Sequence, residues 1–381
     1  MKTNNENSIL FISPDYHCSF AYRDELRRLG WKADIFVPPG YPADMLFGKP
    51  DLKIPNFRRI KFFGKYLENI AVPILFLLIF RRYKFHFYYC GLDHFHFLEK
   101  KLGVSRIFGD TFRFHLWLAK KFKRIVIHLP SGLPDEAMPE IVAKYGNDEE
   151  HVHTEDSKHM KIWFDVLRKY ADFIVGTGLY DPTQYKAVHF KYKVIDLELF
   201  NPAIQVPEEL KLAPTKKLRI MHSFMFEKDR VDKYKGNIKG TKYIEEAVER
   251  LIAEGHELEY MYFDNIPANL FRFYQIQADI VVEEIIRGGW GSTALECIAL
   301  GKPVITYVRP EWEAFYYECF PDTRPLPIFN ANKHTIYDVL KTVVADADLR
   351  SHKSVEARRW AVAHLNPTAN VRDFVKVLDT F

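Results

Sequence analysis

Short apolar runs alternate with longer amphipathic stretches along this chain, the pattern of an α/β protein with parallel strands and helices covering them. In the first half Ile9–Ser13, Ala33–Val37, Phe85–Cys90, Arg124–His128 and Phe173–Gly176 read as strands. Tyr22–Leu29, Phe112–Lys121 and Lys158–Tyr170 read as helices between them. The alternation stops at a polar stretch carrying Pro202, Pro207 and Pro214, which reads as a linker. It then restarts, with strands at Leu218–His222, Glu257–Phe263, Asp279–Val282 and Pro303–Tyr307. Helices are expected at Gly240–Glu254, Ala268–Gln277 and Thr293–Leu300, the last closed by Gly301, and two long helices end the chain.

One segment fits this scheme in two ways. Ala71–Phe80 is almost wholly apolar, yet far shorter than the roughly 20 residues that cross a bilayer. Arg58, Arg59, Lys61 and Lys65 precede it, and Arg81, Arg82 and Lys84 follow. It is either a buried helix or an interfacial segment whose cations meet lipid headgroups.

The chain's 381 residues suit two domains better than one, and 48% hydrophobic with 27% charged residues describes a globular protein with a substantial core. Its four cysteines, Cys18, Cys90, Cys297 and Cys319, have no paired spacing, which argues against a zinc cluster or a disulfide framework and fits a reducing cytoplasm. The polar start Met1–Ser8 runs directly into a strand-like segment and reads as lacking a secretory signal. Net charge is only +4, but residues 1–130 hold 22 Lys and Arg against 11 Asp and Glu. The first half therefore faces something anionic. No nucleic-acid motif accompanies the charge, so a membrane surface or a phosphate-bearing acceptor is expected and nucleic acid is not.

The densest chemistry follows the strand at Asp279–Val282. There Glu283-Glu284-Ile285-Ile286-Arg287 leads into Gly288-Gly289-Trp290-Gly291-Ser292, and a helix containing Glu296 begins. Amides freed at a helix start, with the helix dipole behind them, attract phosphate oxygens, and glycine lets a diphosphate approach. Ser292 is a candidate N-cap. Glu296, one turn in, can accept hydrogen bonds from a ribose diol. A tight β–α turn would look similar, so the pattern needs support. A basic loop with Lys228, Arg230, Lys233, Lys235 and Lys239 before Gly240 offers cations for a diphosphate, although a solvated loop has the same composition. His128 ends a predicted strand, at the edge where ligands of open α/β sheets gather. Asp135 and Glu136 follow closely and fit an exposed turn better than an acceptor contact. His151, His153 and His159 lie among acidic residues and read as a polar surface loop, and Asp346-Ala347-Asp348 as a solvated helix turn. No essential metal is expected.

The run from Gly288 to Ile305 resembles the signature of group 1 glycosyltransferases (glycosyltransferase family four), roughly E-G-x-G-x-x-x-x-E-A-x-A-x-G-x-P-V-I. Gly289, Trp290 and Gly291 fill its loop, Glu296 matches its second glutamate, and Gly301, Pro303, Val304 and Ile305 match its tail. The first glutamate, which in that family contacts the donor sugar, falls on Gly288. Asp196–Pro202 resembles the family's V-D-x-x-x-F-x-P hinge motif, and Ser13–Ser19 stands where a double glycine is usual.

The resemblance implies an α/β GT-B fold, two Rossmann-like doubly wound domains facing across a cleft. Residues 1–202 would bind the acceptor, 203–217 would link, 218–365 would bind the nucleotide sugar, and 366–381 would return to the first domain. Glu296 would bind the ribose, Lys239 with Arg230 or Lys235 would neutralise the diphosphate, and His128 would stand near the sugar. The implied activity is retaining transfer from a UDP- or GDP-linked sugar, with no further cofactor, to a glycan or lipid-linked acceptor in surface polysaccharide or glycolipid synthesis. The expected location is cytoplasmic, peripheral on the inner face of the membrane. Without the first glutamate, a non-catalytic subunit that binds a nucleotide sugar or a partner enzyme is the alternative.

Overall fold

A computed structural model of the chain describes residues 6–37, 46–53, 78–79, 81–89, 107–129, 157–176, 187–189, 193–225, 227–228, 231, 237, 239–286 and 288–381. Arg230, Lys235, Arg287, Cys90, Asp135, Glu136, His151, His153, the side chain of His159, and Ala71–Phe80 apart from Leu78 and Ile79 lie outside the described residues. The chain forms two compact units. One comprises residues up to Gly146, Glu155–Tyr192 and Val371–Phe381, and the other is chiefly Lys193–Asn370.

The first unit runs β1 (Ser8–Ile12), α1 (Tyr16–Arg28), β2 (Lys32–Val37), β3 (Leu52–Lys53), β4 (Phe85–Tyr89), α2 (Phe114–Lys121), β5 (Ile125–Leu129), α3 (Ser157–Tyr170), β6 (Phe173–Gly176) and β7 (Ala187–His189). Its sheet has the order β3-β2-β1-β4-β5-β6-β7, and every pairing is parallel. All five residues of β1 are buried, as expected of a parallel strand covered on both faces. Leu10, Ile12, Tyr88, Val126 and Ile174 pack on one side against Leu116, Ala119, Val166 and Leu167 of the helices. Phe11 and Phe87 meet at 5.2 Å, and Phe374, near the chain end, stands edge-on to Phe87 at 5.9 Å and to Tyr22 at 5.3 Å.

Helix α1 begins at Tyr16, six residues before the expected Tyr22. Its first turn buries His17, Cys18 and Ser19, small or polar side chains that interrupt an apolar period without exposing it. β3, β7 and β12 (Phe329–Asn330) span two or three residues each, too few to leave a period-two signature.

The second unit follows the same logic with β8 (Leu218–Ser223), α4 (Thr241–Ala253), β9 (Leu258–Phe263), α5 (Ala268–Gln275), β10 (Ile280–Val282), α6 (Ser292–Ala299), β11 (Val304–Thr306), α7 (Pro310–Cys319), α8 (Ile336–Ala345) and α9 (Ala347–His364), while the last helix, α10 (Pro367–Leu378), belongs to the first unit from Val371 onward. Its parallel sheet is ordered β12-β11-β10-β8-β9. Four helices, α7 to α10, follow β11, where two were expected. In the hinge-like motif, Asp196 Oδ1 accepts from the amides of Glu198 and Leu199 and Phe200 is fully buried. Arg358 donates to the carbonyls of Phe200 at 2.8 Å and Ala299 at 2.6 Å, tying this turn to the end of α6.

Open sheets of this kind bind ligands beyond the carboxyl ends of their strands, where the strand order reverses direction. In the second unit that point lies between β8 and β10, and in the first between β1 and β4.

Candidate functional site

At the β8–β10 switch the side chains form one connected polar structure. His222, near the end of β8, is fully buried; its Nδ1 faces the Val282 carbonyl at 2.9 Å and its Nε2 faces Thr241 Oγ1 at 3.0 Å. A carbonyl only accepts, so Nδ1 carries the proton and Nε2 accepts from the threonine hydroxyl. Burial, with the Lys239 charge adding to it against the Val282 hydrogen bond, lowers the His222 pKa to about 3. The ring is a neutral strut joining β8, β10 and the start of α4.

Lys239 lies just ahead of α4 and forms an ion pair with Glu283, whose side chain is 1% exposed. The other Glu283 oxygen accepts from the Gly291 amide at 3.3 Å and Thr306 Oγ1 at 3.4 Å. Gly240 has φ +80°, and a Cβ there would lie 2.5 Å from Ile285, so a glycine must follow the lysine. Asn237 Oδ1 accepts from the amides of Lys239, Gly240 and Thr241 at 3.1, 2.9 and 3.3 Å, closing the end of α4 from outside the helix.

The glycine loop is braced from within. Glu284 Oε1 accepts from the amides of Gly288 at 2.9 Å and Gly289 at 3.2 Å. Gly288 has φ +83°, and a Cβ on it would come within 2.0 Å of Arg309 Cγ. The family's first glutamate therefore has no room here: the stem of Arg309 covers the position, and the backbone is left-handed. The Trp290 ring centroid lies 4.5 Å from that of Tyr316 and 5.2 Å from that of Trp360, so the loop's large residue anchors it to an aromatic cluster. Gly291, not Ser292, is the N-cap of α6; Ser292 is its first helical residue.

Glu296 is buried one turn into α6, and Gln275 Nε2 donates to its Oε2 at 2.7 Å. Gln275 is itself fully buried, with its Oε1 unpaired. No local pattern marks Gln275: it ends helix α5, 21 residues from its partner. Downstream Gly301, φ +67°, closes α6, with its amide donating to Ile298 at 3.0 Å and the next amide to Cys297 at 2.9 Å.

The structure thus brings Lys239, Gly289 and Gly291 onto one carboxylate framework, with Ser292 and Glu296 on the helix beginning there. His128 belongs to the first unit. It lies near the carboxyl end of β5, 1% exposed, in register with Tyr88 of β4 and Ile174 of β6. At that unit's own switch point Ser13 and Tyr16 hold φ of 61° and 42°, left-handed values that cost of order 1–3 kcal/mol each outside glycine. Between them Asp15 is buried and its amide donates to Ser19 Oγ at 2.8 Å. Among the described residues, no group of three His, Cys, Asp or Glu side chains is set to hold a metal ion.

No protein-family model and no curated protein sequence matches the chain. Solved structures do match along its whole length. Sucrose-phosphate synthase from Thermosynechococcus elongatus superposes with a TM-score of 0.59 at 14% identity, covering 98% of both chains. Anabaena HepE in complex with UDP and glucose superposes at 0.57 with 11% identity, covering 98% of this chain and 99% of that one. The UDP-GlcNAc 2-epimerase from Neisseria meningitidis bound to UDP-GlcNAc superposes at 0.53 with 10% identity, covering 98% and 100%. At such identities the likeness shows the fold alone: the chain has the GT-B fold of glycosyltransferases, which epimerases share.

Proposed function

We propose that this chain is a glycosyltransferase that moves a sugar from a UDP- or GDP-linked donor to a glycan or lipid-linked acceptor. The carrying observation is the β10–glycine loop–α6 unit, with Glu296 buried one turn into the helix and Lys239 paired to Glu283, the residue that follows the strand. In this reading Glu296, steadied by Gln275, accepts from the ribose hydroxyls. Glu283 and Glu284 already occupy the amides of Gly288, Gly289 and Gly291, so the first amides of α6, beyond reach of any helical carbonyl, are left for phosphate oxygens. Lys239, and Arg230 or Lys235 of the same basic loop, offset the charge that develops on the leaving diphosphate. His128 is the first unit's candidate for chemistry at the sugar. Retention of configuration, independence of metal and a cytoplasmic, membrane-peripheral location belong to the proposal through the sequence resemblance and the positive charge of residues 1–130.

A thermal-shift series with UDP, GDP, ADP and their sugar conjugates, on the wild type and Glu296→Ala, tests the donor site. A ligand at about 100 times its dissociation constant adds about 2.7 kcal/mol to the folded state. The expected result is one nucleotide that raises Tm in the wild type and not in the variant; no shift from any of them sinks the reading. A second reading, a nucleotide-sugar-binding subunit without turnover, is favoured by Arg309 closing the place of a donor-side glutamate at Gly288. Donor consumption with acceptor present separates the two.

A further inference from the structure

Helix α2 is apolar on two opposite sides. Its inner side buries His115, Leu116 and Ala119 in the first unit. Its outer side presents Phe114 and Trp117, each 42% exposed. Exposed large side chains continue on both flanks, with Ile107 at 76% and Phe108 at 59% before the helix and Phe122 at 40% after it. The rings are organised: Phe108 stacks on Phe112 at 4.8 Å, Phe112 lies 6.4 Å from Trp117, and Phe114 stacks with Trp117 at 5.9 Å. The Arg81 guanidinium lies 5.1 Å over the Phe122 ring, and Arg124 donates to the Arg81 carbonyl at 2.9 Å. A surface helix ordinarily turns one polar face to water, and contiguous exposed apolar patches mark interaction sites.

The charge around the ridge selects the partner. Residues 107–124 contain Arg113, Lys120, Lys121, Lys123 and Arg124 against the single acid Asp110. Arg113 is buried, donating to the carbonyls of Asp110 and Phe112, and Lys120 pairs with Asp172. Lys121, Lys123, Arg81 and Arg82 are exposed. Aromatic rings flanked by exposed cations match a lipid interface, where rings enter the acyl boundary and ammonium or guanidinium groups meet phosphate headgroups. Among the described residues no helix is long and apolar enough to cross a membrane.

We propose that the ridge formed by Ile107, Phe108, Phe114, Trp117 and Phe122, with Arg81, Lys121 and Lys123 beside it, seats the first unit on an anionic membrane surface. The proposal deepens the membrane-side part of the functional reading and does not depend on the donor site. It assigns the contact to α2 and its flanks, outside the Ala71–Phe80 run that the sequence singles out.

The full chain is sedimented with vesicles of phosphatidylcholine alone and of phosphatidylcholine mixed with phosphatidylglycerol, at low salt. The wild type is expected to bind the anionic vesicles about tenfold or more tightly than the neutral ones. The Phe108→Ser, Phe114→Ser, Trp117→Ser triple variant and the Lys121→Glu, Lys123→Glu pair are each expected to lose that preference by about tenfold. Both should keep the wild-type nucleotide thermal shift, which separates failure here from failure of the donor site. A Trp117→Phe variant keeps the apolar bulk: it is expected to bind vesicles, with less quenching of its tryptophan fluorescence by brominated lipid than the wild type shows. Equal binding to both vesicle types, an undiminished triple variant, or unchanged quenching in Trp117→Phe overturns the proposal. So does self-association of the wild type that the triple variant abolishes without any vesicle binding.

Discussion

At the residue scale the two ends of the Gln275–Glu296 pair show how unevenly sequence exposes chemistry. Glu296 is legible because a strand, three glycines and a helix start precede it at fixed spacing. Gln275 is not, because its role exists only where α5 abuts α6. A hydrogen bond from Gln275 to a charged carboxylate is worth about 1.5–3 kcal/mol, and its loss lets the carboxylate turn away. Gln275→Leu is therefore expected to weaken the stabilising nucleotide by about tenfold or more in a calorimetric titration. In the Glu296→Ala background the same change should cost little further, since both act through one carboxylate. Fully additive losses would sink the positioning role. Gly288 teaches the converse: the residue is plain in the sequence, while its cause, a left-handed backbone under the stem of Arg309, is tertiary.

At the element scale, most helices and buried strands were readable to within a few residues; α1 starts six residues early, the ten-residue α7 was not foreseen, and the other misses were short or capped by distant groups. Asn237 closes α4 through three amides although it lies outside the helix. The D-x-D at Asp346–Asp348 shows the same gap. It looks like a solvated turn, and its first aspartate is exposed, yet Asp346 Oδ1 accepts the Leu349 amide at 2.8 Å as the N-cap of the 18-residue α9. Asp346→Ala is expected to lower stability by about 1 kcal/mol, read as a lower urea midpoint at unchanged slope, with nucleotide affinity untouched. A loss of nucleotide binding instead would give that aspartate a role beyond the cap.

At the scale of the whole molecule, His222 makes stability a function of pH. Its folded pKa of about 3 lies below the ordinary 6.5, so between those values the folded state holds fewer protons than the unfolded one. Lowering pH through that window therefore favours unfolding, by up to about 1.4 kcal/mol per pH unit from this group. The second unit's urea transition is expected to weaken on going from pH 7 to pH 4.5. His222→Asn, less stable at pH 7, should lack this increment, and an unchanged pH slope in that variant would refute the strut. The fold itself persists at 10–14% identity to its structural neighbours because it needs only the alternation, which many sequences satisfy. That alternation, the glycine at 301 that closes α6, and the glutamate one turn into α6 are local properties, each set by neighbours within a few residues. Which carboxylate meets Lys239, which amide steadies Glu296 and which carbonyl accepts from His222 were decided only by the sheet order. Parallel strands are joined through crossovers, so β10 comes to lie beside β8 with α4 and β9 between them in the chain, and no local pattern encodes partners 19 to 60 residues apart.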